Sequence, residues 1–405
     1  MVQRRDRSFK NTVALFYLLW LPRAFYKGRL TLRPSKALVF PAIVAAYALA
    51  STVWSDHPDM TARAALEFAS FVVCVAIISQ IVSIRAFIKG VTVGAAAALI
   101  ATLVIAGGLP DDTALVGSLG SKNQVGEIAE VGFYCALMSW FIVRRLGTKV
   151  LFSLVPLVIS AVCLVYSRSA ISYVSLAAML GVSCGAYIIG KLPPKVRMPS
   201  FVGVIFCVLI VTTASVAFDW KDIGLTAVGK DPTLTGRTYL WSEGIKTGME
   251  NPILGVGFGA FWVPGTLEAE KLWYQFEMFN RSGFHFHNLF INLFVDLGIL
   301  GCIAWALMYI STCAKSTPFV LKAATVESIF YVGISFLYLA RSITEVDTPG
   351  PYGFAPLLFF FVVMRVAARN NLRAEAPRRA ALCNGARPTR DDTPGPLIWD
   401  WTQKR

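Results

Sequence analysis

Apolar runs long enough to cross a bilayer recur along almost the whole chain and constrain its fold more than any other feature. Most are about 18 to 22 residues long, the length that a spanning helix needs, and each must satisfy its own backbone hydrogen bonds as a helix. Hydrophobic residues make up 56% of the chain and charged residues 15%, which excludes a soluble globular protein, and we predict an all-α integral membrane protein. The ten runs are residues 37–54, 64–83, 86–107, 125–143, 150–167, 170–190, 200–218, 287–312, 324–341 and 351–368.

Lysine and arginine are concentrated in alternate connections between these runs, and this bias predicts the orientation of the chain. Basic segments also precede the first run and follow the last one. Because all of them fall on one side, both termini are predicted to be cytoplasmic. The net charge of +14 is then mostly a topology signal, with attraction to anionic lipids as a consequence and nucleic-acid binding as the weaker interpretation. The basic residues of the alternate connections are Arg85, Lys89, Arg144, Arg145, Lys149, Lys191, Lys195, Arg197, Lys315 and Lys322.

The same pattern divides the chain into five segments. The apolar stretch Asn11–Leu21 is short and flanked by basic residues, so we predict an interfacial helix there, whereas an eleventh spanning helix would reverse the N-terminus. The tail is rich in Arg, Pro and Ala and is predicted to be disordered. None of the cysteines lies in the long outer loop, so neither a disulfide framework nor a metal site is predicted. The segments are a basic N-terminal segment (1–36), spanning helices 1–7 (37–218), the long outer loop (219–286), spanning helices 8–10 (287–368) and a basic cytoplasmic tail (369–405).

Polar residues suited to chemistry lie at the outer ends of several runs. Lys122 and Asn123 open one run within G-S-L-G-S-K-N-Q-V-G. Arg168 lies in S-R-S-A, where two runs meet with almost no loop between them. Although these residues are far apart in the chain, the topology predicts that they reach the same face of the bilayer.

The long outer loop brings further candidates to that face. Arg237 follows a glycine in L-T-G-R-T-Y-L-W and opens a helix predicted over Thr238–Met249. His287 and Asn288 end the loop in H-F-H-N and begin the next run. This loop holds most of the polar residues of an otherwise apolar chain, which indicates chemistry at one membrane face rather than a pore through the bilayer.

Arginine, lysine and histidine together suit one kind of reaction. The planar guanidinium groups of the arginines, together with a lysine, would hold a pyrophosphate at headgroup depth and stabilise the charge of the leaving phosphate. A neutral histidine would take the proton from a hydroxyl group. The set therefore predicts sugar transfer from a lipid pyrophosphate to an alcohol. Structural interpretations stay open, with Arg168 as an interfacial anchor, Lys122 as a plain loop charge and His287 as an ordinary structural histidine.

Three other features carry weaker indications. The sequence G-V-G-F-G has no preceding strand, so we predict close backbone packing rather than a nucleotide-binding loop. Most aromatic residues between Phe258 and Phe286 are predicted to lie at the bilayer interface. Gly90 and Gly94 form a helix-packing pair. Asp56, within W-S-D-H-P-D, is a candidate for binding an acceptor or a cation.

The order of the motifs resembles one family. The chain contains K-N-x-x-G, S-R-S-A, T-G-R-x-x-x-W-x-x-G, N-P-x-L-G-x-G and H-N-x-x-x-N-x-x-x-x-x-G-I-x-G in that order, over roughly residues 37 to 368. This series resembles the O-antigen ligase and polymerase superfamily of bacterial envelopes, and within it the exopolysaccharide polymerases of the ExoQ type. Each motif is weak alone, and their order combined with the topology makes the resemblance specific.

The resemblance implies a multi-pass enzyme of the bacterial inner membrane with about ten to eleven spanning helices, a long periplasmic loop and a GT-C-like architecture. Such enzymes take a glycan from undecaprenyl pyrophosphate at the periplasmic face by inverting transfer without a metal or another cofactor. The implied partners are the lipid-linked oligosaccharide, the growing polysaccharide, membrane lipids, a chain-length co-polymerase and a flippase, with no nucleic acid. The resemblance implies that Arg168, Arg237 and His287 are the essential catalytic residues. From their positions in the sequence, the predicted substrate-binding residues are Lys122, Asn123, Asn288 and Asp56.

Four functions remain open from the sequence. A repeat-unit polymerase is favoured, and a ligase that transfers the glycan to lipid A core shares the same donor chemistry. A transporter of lipid-linked glycan would place more ionisable residues in mid-span, where Asp296 is the main exception here. A scaffold for an envelope assembly machine is the fourth function.

Overall fold

The computed structural model describes residues 38–217 and 233–368, except residues 280 and 282. The predicted N-terminal segment with its interfacial helix, the start of the long outer loop and the basic tail therefore lie outside the described residues. All regular secondary structure within the described ranges is helical, and the chain is an all-α membrane protein, which confirms the prediction of fold class.

Twelve helices occupy the described ranges. They are α1 (Val39–Ala50), α2 (Pro58–Ile81), α3 (Ile84–Ile105), α4 (Lys122–Ile142), α5 (Leu146–Ser167), α6 (Ala170–Ile189), α7 (Pro194–Ala217), α8 (Thr233–Gly248), α9 (Leu267–Gln275), α10 (Leu289–Lys322), α11 (Val326–Arg341) and α12 (Phe354–Ala368). Each apolar run overlaps one of them, whereas α8 and α9 lie in the long outer loop. The helix predicted over Thr238–Met249 begins earlier, at Thr233.

Six of these helices, α2 to α6 and α10, are long and apolar enough to cross a membrane, as judged by length and composition. Two shorter apolar helices are α12 and α1, the latter extended by a 3-10 turn to Val53. Within the described residues, α4 packs on α3, α5 and α6, while α10 contacts α1, α8 and α11. Small side chains allow this close packing, since a Cβ added at Gly132 of α4 would lie 3.0 Å from Ala95 of α3.

Helix α12 is apolar over most of its length and is largely buried within the described part of the protein. Phe359, Phe360 and Phe361 are fully buried. The ring of Phe361 stacks on Phe87 of α3 at a centroid distance of 3.6 Å, and the ring of Phe359 stacks on Tyr309 of α10 at 4.3 Å. A short helix is therefore fixed by packing on several sides.

The glycine-rich sequence N-P-I-L-G-V-G-F-G packs against a break in α10. Gly298 breaks the helix with φ of 63°, and the backbone N–H of Gly257 donates to the carbonyl oxygen of Asp296 at 2.8 Å. A Cβ added at Gly255, where φ is 68°, would lie 2.5 Å from the carbonyl carbon of Asp296. Only glycine fits so near another backbone, which confirms the prediction of close packing.

The aromatic residues of the long outer loop form a core of their own. Phe261 and Trp273 are 2% and 3% exposed and belong to a cluster with Leu240 of α8 and Val295 of α10. The prediction that most of these aromatics lie at the bilayer interface was therefore wrong. Their shared burial, rather than contact with lipid, holds the described part of the loop on α10.

Candidate active site

Arg237 lies in the first turns of α8, where two neighbours fix its position. A Cβ added to Gly236 would lie 3.1 Å from the ring of Phe276, so a side chain before the arginine would require that ring to shift. One turn later, the indole N–H of Trp241 donates to the carbonyl oxygen of Phe286 at 2.8 Å. This hydrogen bond ties α8 to the segment that carries His287. The Arg237 side chain is only 14% exposed.

His287 lies in a tight turn immediately before α10. Its φ is 51°, a left-handed conformation that is uncommon for a residue other than glycine and often marks a functional position. Its backbone N–H donates to Nδ1 of His285 at 3.0 Å. Asn288 follows as the N-cap of α10, and its side-chain oxygen accepts from the N–H groups of Phe290 and Ile291. These contacts fix the backbone that carries the His287 ring.

Glu345 joins the parts of the site together. Its Oε2 lies 3.2 Å from Nδ1 of His287, and its Oε1 accepts from Nη2 of Arg237 at 3.1 Å and from Nδ2 of Asn123 at 3.0 Å. The side chain is 4% exposed. Its backbone N–H donates to the carbonyl oxygen of Arg341 at 2.8 Å, so the end of α11 places it. Four distant segments of the chain therefore converge on one buried carboxylate.

Sequence reasoning missed Glu345. The connection 342–350 was predicted to face the same side as the long outer loop, but no residue in it was selected. A signal was present, since R-S-I-T-E-V-D places three charged residues between two apolar runs near the end of the chain. Charges are costly beside a bilayer unless they are paired, which makes such a group a candidate site.

The protonation states of the site follow from its charges. Burial alone would raise the pKa of Glu345, but the hydrogen bond from His287 and the nearby positive charge lower this pKa to about 2. Burial, the neighbouring His287 and Arg237 lower the pKa of His285 to about 3, against the opposing effect of Glu345. Near neutral pH, Glu345 is therefore a carboxylate and His285 is neutral.

The carboxylate of Glu345 also selects the tautomer of His287. Nη2 of Arg237 lies 3.4 Å from Nδ1 of His287, but guanidinium can only donate, and its shorter contact is with Glu345. A proton on Nδ1 therefore satisfies Glu345 and leaves a lone pair on Nε2. This arrangement, an imidazole oriented by a carboxylate, suits a general base.

We expect protonation of His285 to lower the stability of the protein between pH 7 and pH 5, against the opposing effect of Asp347, whose pKa is raised by burial. The pKa of His285 in the fold, about 3, lies below the value of about 6.5 in an unfolded chain, so the unfolded state binds protons first as the pH falls. The loss should be about 1 kcal/mol, since the ring is 28% exposed and solvent screens part of the effect. Glu345 adds nothing in this window, because its contribution is lost only below about pH 4.3.

The measurement is the thermal midpoint of the purified protein in detergent at pH 7 and pH 5. His285→Asn keeps an acceptor for the backbone N–H of His287 and should reduce the drop. His57→Asn, in which the replaced ring contacts Oγ1 of Thr266 outside the site, is the matched control. An identical drop of the thermal midpoint in the wild type, His285→Asn and His57→Asn would contradict the assignment of this pH dependence to His285.

A second group of buried charges lies beside Glu345. Arg341 donates through Nη1 to Oε1 of Glu130 at 2.8 Å and through Nε to Oδ2 of Asp347 at 2.5 Å. Arg341 is 2% exposed and Glu130 is fully buried. Ser175 donates to the other oxygen of Glu130. Burial is the largest effect on Asp347 and raises the pKa of its carboxyl group, although Arg341 opposes it.

Three other predicted site residues lie at or near the cluster. Asn123 donates to Glu345, and its Oδ1 accepts from Oγ of Ser169 at 3.1 Å. Lys122 precedes it as the first residue of α4. Arg168 lies next to Ser169 in a left-handed turn with φ of 49°, but its guanidinium donates to the carbonyl oxygens of Asp112 and Asp111 at 2.7 and 3.0 Å. Its side chain is exposed and holds a neighbouring loop.

The remaining predicted residues have structural contacts. The Asn288 side chain caps α10 and donates through Nδ2 to the carbonyl oxygen of Ile343 at 3.0 Å, which holds the turn before Glu345. Asp56 lies beside the glycine-rich loop, where its backbone N–H donates to the carbonyl oxygen of Val256 at 3.0 Å. That substrate contacts either side chain stays a prediction.

His285, His287 and Glu345 have the donor atoms to hold a metal ion, since these atoms lie within 4.8 Å of one another. The Arg237 guanidinium competes for that position, because it contacts Glu345 and lies next to Nδ1 of His287. A divalent ion would have to displace this cation. The donor set therefore fits an arginine-neutralised carboxylate better than a metal centre.

Comparison with known proteins gives two findings. The family model described as O-Antigen ligase matches residues 155–306. The exopolysaccharide production protein ExoQ of Rhizobium meliloti (strain 1021) is 31% identical over 368 residues, which cover 90% of this chain and 85% of that protein. The family segment includes Arg168, Arg237, His287 and Asn288, whereas Glu345 lies beyond its end.

Proposed function

Because the chain belongs to the O-antigen ligase family, we propose that it polymerises oligosaccharide repeats carried on undecaprenyl pyrophosphate into an exopolysaccharide at the periplasmic face of the inner membrane. The observation that carries the proposal is the contact of 3.2 Å between Nδ1 of His287 and Glu345, beside the cation of Arg237. It places an oriented base and an anion-binding group together. The family and this geometry support sugar transfer without a nucleotide donor.

His287 is the base in the proposed reaction. Its Nε2 takes the proton from a hydroxyl group at the non-reducing end of the acceptor, and the hydroxyl oxygen forms a bond to the anomeric carbon of the donor sugar. The bond between that carbon and the pyrophosphate oxygen breaks, and its electron pair leaves with the pyrophosphate. Attack opposite to the leaving group inverts the anomeric centre. Glu345 stabilises the imidazolium that forms.

Arginine provides the charge that the leaving pyrophosphate requires. Arg237 already neutralises Glu345 and is 14% exposed, so part of its guanidinium can face a substrate. Arg168 is exposed two residues before α6, next to the serine that contacts Asn123. In the proposed mechanism both arginines hold the pyrophosphate, and Lys122 adds charge at the start of α4.

The test is polymerisation by the purified full-length protein in liposomes. Polyprenyl-pyrophosphate-linked repeats are added alone, and the glycans are separated by size. A ladder that grows by whole repeats supports the proposal. Transfer only when lipid A core is supplied would identify a ligase, and movement of intact donor across the bilayer without new glycosidic bonds would identify a transporter.

Arg237→Lys is expected to lower the polymerisation rate at least about tenfold. Lysine keeps the charge but loses the planar fork that serves Glu345 and the pyrophosphate together. Arg63→Lys, at an exposed arginine that pairs with Glu67 on α2, is the matched control and should keep the rate. Equal polymerisation rates in the two variants would contradict the proposal that Arg237 contacts Glu345 and the pyrophosphate at the same time.

A further inference from the structure

A cavity of about 580 Å³ opens at the end of α4 that is opposite to the candidate active site. Helix α4 has 21 residues and is about 30 Å long, and its first turn carries Asn123. The cavity therefore lies near the other face of the membrane, among α3, the end of α4 and the start of α5. The reaction proposed above makes no use of it.

Two kinds of side chain line the cavity. Lys89, Arg144 and Arg145 provide three cations. Val93 and Phe152 provide an apolar wall, and these two residues are 44% and 43% exposed. Thr148, in the first turn of α5, adds a hydroxyl group, and the N-terminus of that helix adds partial positive charge.

The backbone keeps this space open. A Cβ added at Gly90 would meet no atom within 4 Å, so the glycine leaves a gap rather than a helix contact. The prediction that Gly90 and Gly94 form a helix-packing pair was therefore wrong at Gly90, although Gly94 packs near Phe354 of α12. Facing the gap, the first turn of α5 is followed by a π-helical turn at Val150–Leu154, a form that is rare and widens the helix.

We propose that this cavity binds an anionic phospholipid. The phosphate of the headgroup pairs with Arg144, Arg145 and Lys89, and an acyl chain lies along Val93 and Phe152. Basic cavities between spanning helices suit such headgroups, because charge and apolar contact act together. A free phosphate ion would make no contact with the apolar wall.

The charge of the chain itself argues for a lipid as the occupant. The residues before α1 are strongly basic, with Asp6 as their sole acidic residue, and the residues after α12 carry more arginine and lysine than aspartate and glutamate. Either segment would bring more positive charge to a cavity that already has three cations. A zwitterionic lipid offers no net negative charge to offset them.

The experiment is native mass spectrometry of the full-length protein in non-ionic detergent with equal amounts of phosphatidylglycerol and phosphatidylcholine. The wild type should retain phosphatidylglycerol preferentially. The double variant Arg144→Ala, Arg145→Ala should bind it at least about tenfold more weakly. The double variant Lys191→Ala, Lys195→Ala removes equal charge from another connection at the same face and should bind normally. Equal weakening by both would show only general attraction to a basic surface.

A second pair of variants tests the cavity without changing charge. Gly90→Leu fills the space and should also weaken binding of phosphatidylglycerol. Gly181→Leu places the same side chain in open space on α6 and should have no effect. Unchanged binding in Gly90→Leu would overturn the proposal, as would displacement of the lipid by glycerol phosphate at an equal concentration, which would indicate a site for soluble anions. Neither readout depends on polymerase activity.

Discussion

Replacement of His287 is expected to lower the rate of glycan polymerisation by about 10²- to 10⁴-fold, the usual contribution of a general base. In the site, Nδ1 of His287 faces the carboxylate of Glu345 at 3.2 Å, so the lone pair on Nε2 is the group that can accept a proton. Without the ring, the acceptor hydroxyl must lose its proton to water. In the proposed mechanism the donor can still bind, because Arg237 and Arg168 are unchanged.

The choice of variant matters because His287 has φ of 51°. Alanine is strained in this left-handed conformation, whereas asparagine tolerates it, so His287→Asn separates lost chemistry from lost folding. Neither His287→Ala nor His287→Asn should form a ladder of polymer, and His287→Asn should keep the thermal midpoint of the wild type. His57→Ala is the matched control, since His57 contacts Thr266 outside the site. A normal ladder from His287→Asn would overturn the role of His287 as base.

A third variant distinguishes a base from a binding residue. Glu345→Gln keeps the shape of the side chain but removes the charge that stabilises the imidazolium, and the amide can offer its NH₂ group to Nδ1 and reverse the tautomer. We expect a lower maximal rate of polymerisation, with little change in the donor concentration that gives half of the maximal rate. A change confined to that concentration would indicate that Glu345 acts through substrate binding.

The helices of this protein could be predicted from sequence because the bilayer restricts each apolar run to one structure and a narrow range of length. The charge bias and the order of the motifs also led to Arg237 and His287, which the structure places beside each other. Hydropathy gives the side of the membrane for each connection but not its lateral neighbours. Glu345 was missed for this reason, since its connection carries no family motif, yet it contacts Arg237, His287 and Asn123.

Arg168 and the aromatic residues illustrate a second limit. The sequence S-R-S-A predicted a tight turn, and α5 and α6 do meet there, but the carbonyl oxygens that receive the guanidinium belong to Asp111 and Asp112. The path of that loop has no periodic signal. Likewise, Trp and Phe favour both membrane interfaces and protein cores, so composition could not reveal that Phe261 and Trp273 are buried within the outer loop.

Replacement of Arg341 is expected to produce the largest loss of stability, about 3 to 5 kcal/mol, because it leaves two buried carboxyl groups without their cation. Arg341 is 2% exposed and contacts both Glu130 and Asp347. Arg341→Met keeps much of the side-chain volume while removing the charge. The comparison is Arg85→Met, since Arg85 also pairs with a glutamate, Glu327, but is 65% exposed, and the loss there should be below about 1 kcal/mol.

The pH dependence of this loss separates an electrostatic cause from a packing defect. In Arg341→Met the uncompensated carboxyl groups can relieve the strain by taking up protons, so its thermal midpoint should approach that of the wild type as the pH falls from 8 to 5. Replacing the two carboxyl groups by neutral amides should have the same effect. When Glu130→Gln and Asp347→Asn are added to Arg341→Met, most of the lost thermal midpoint should be recovered at pH 8. A deficit that is independent of pH and persists in the triple variant would assign the loss to packing. Because the carbonyl oxygen of Arg341 holds the backbone of Glu345, the charge-driven loss should also lower polymerisation, and both should recover together.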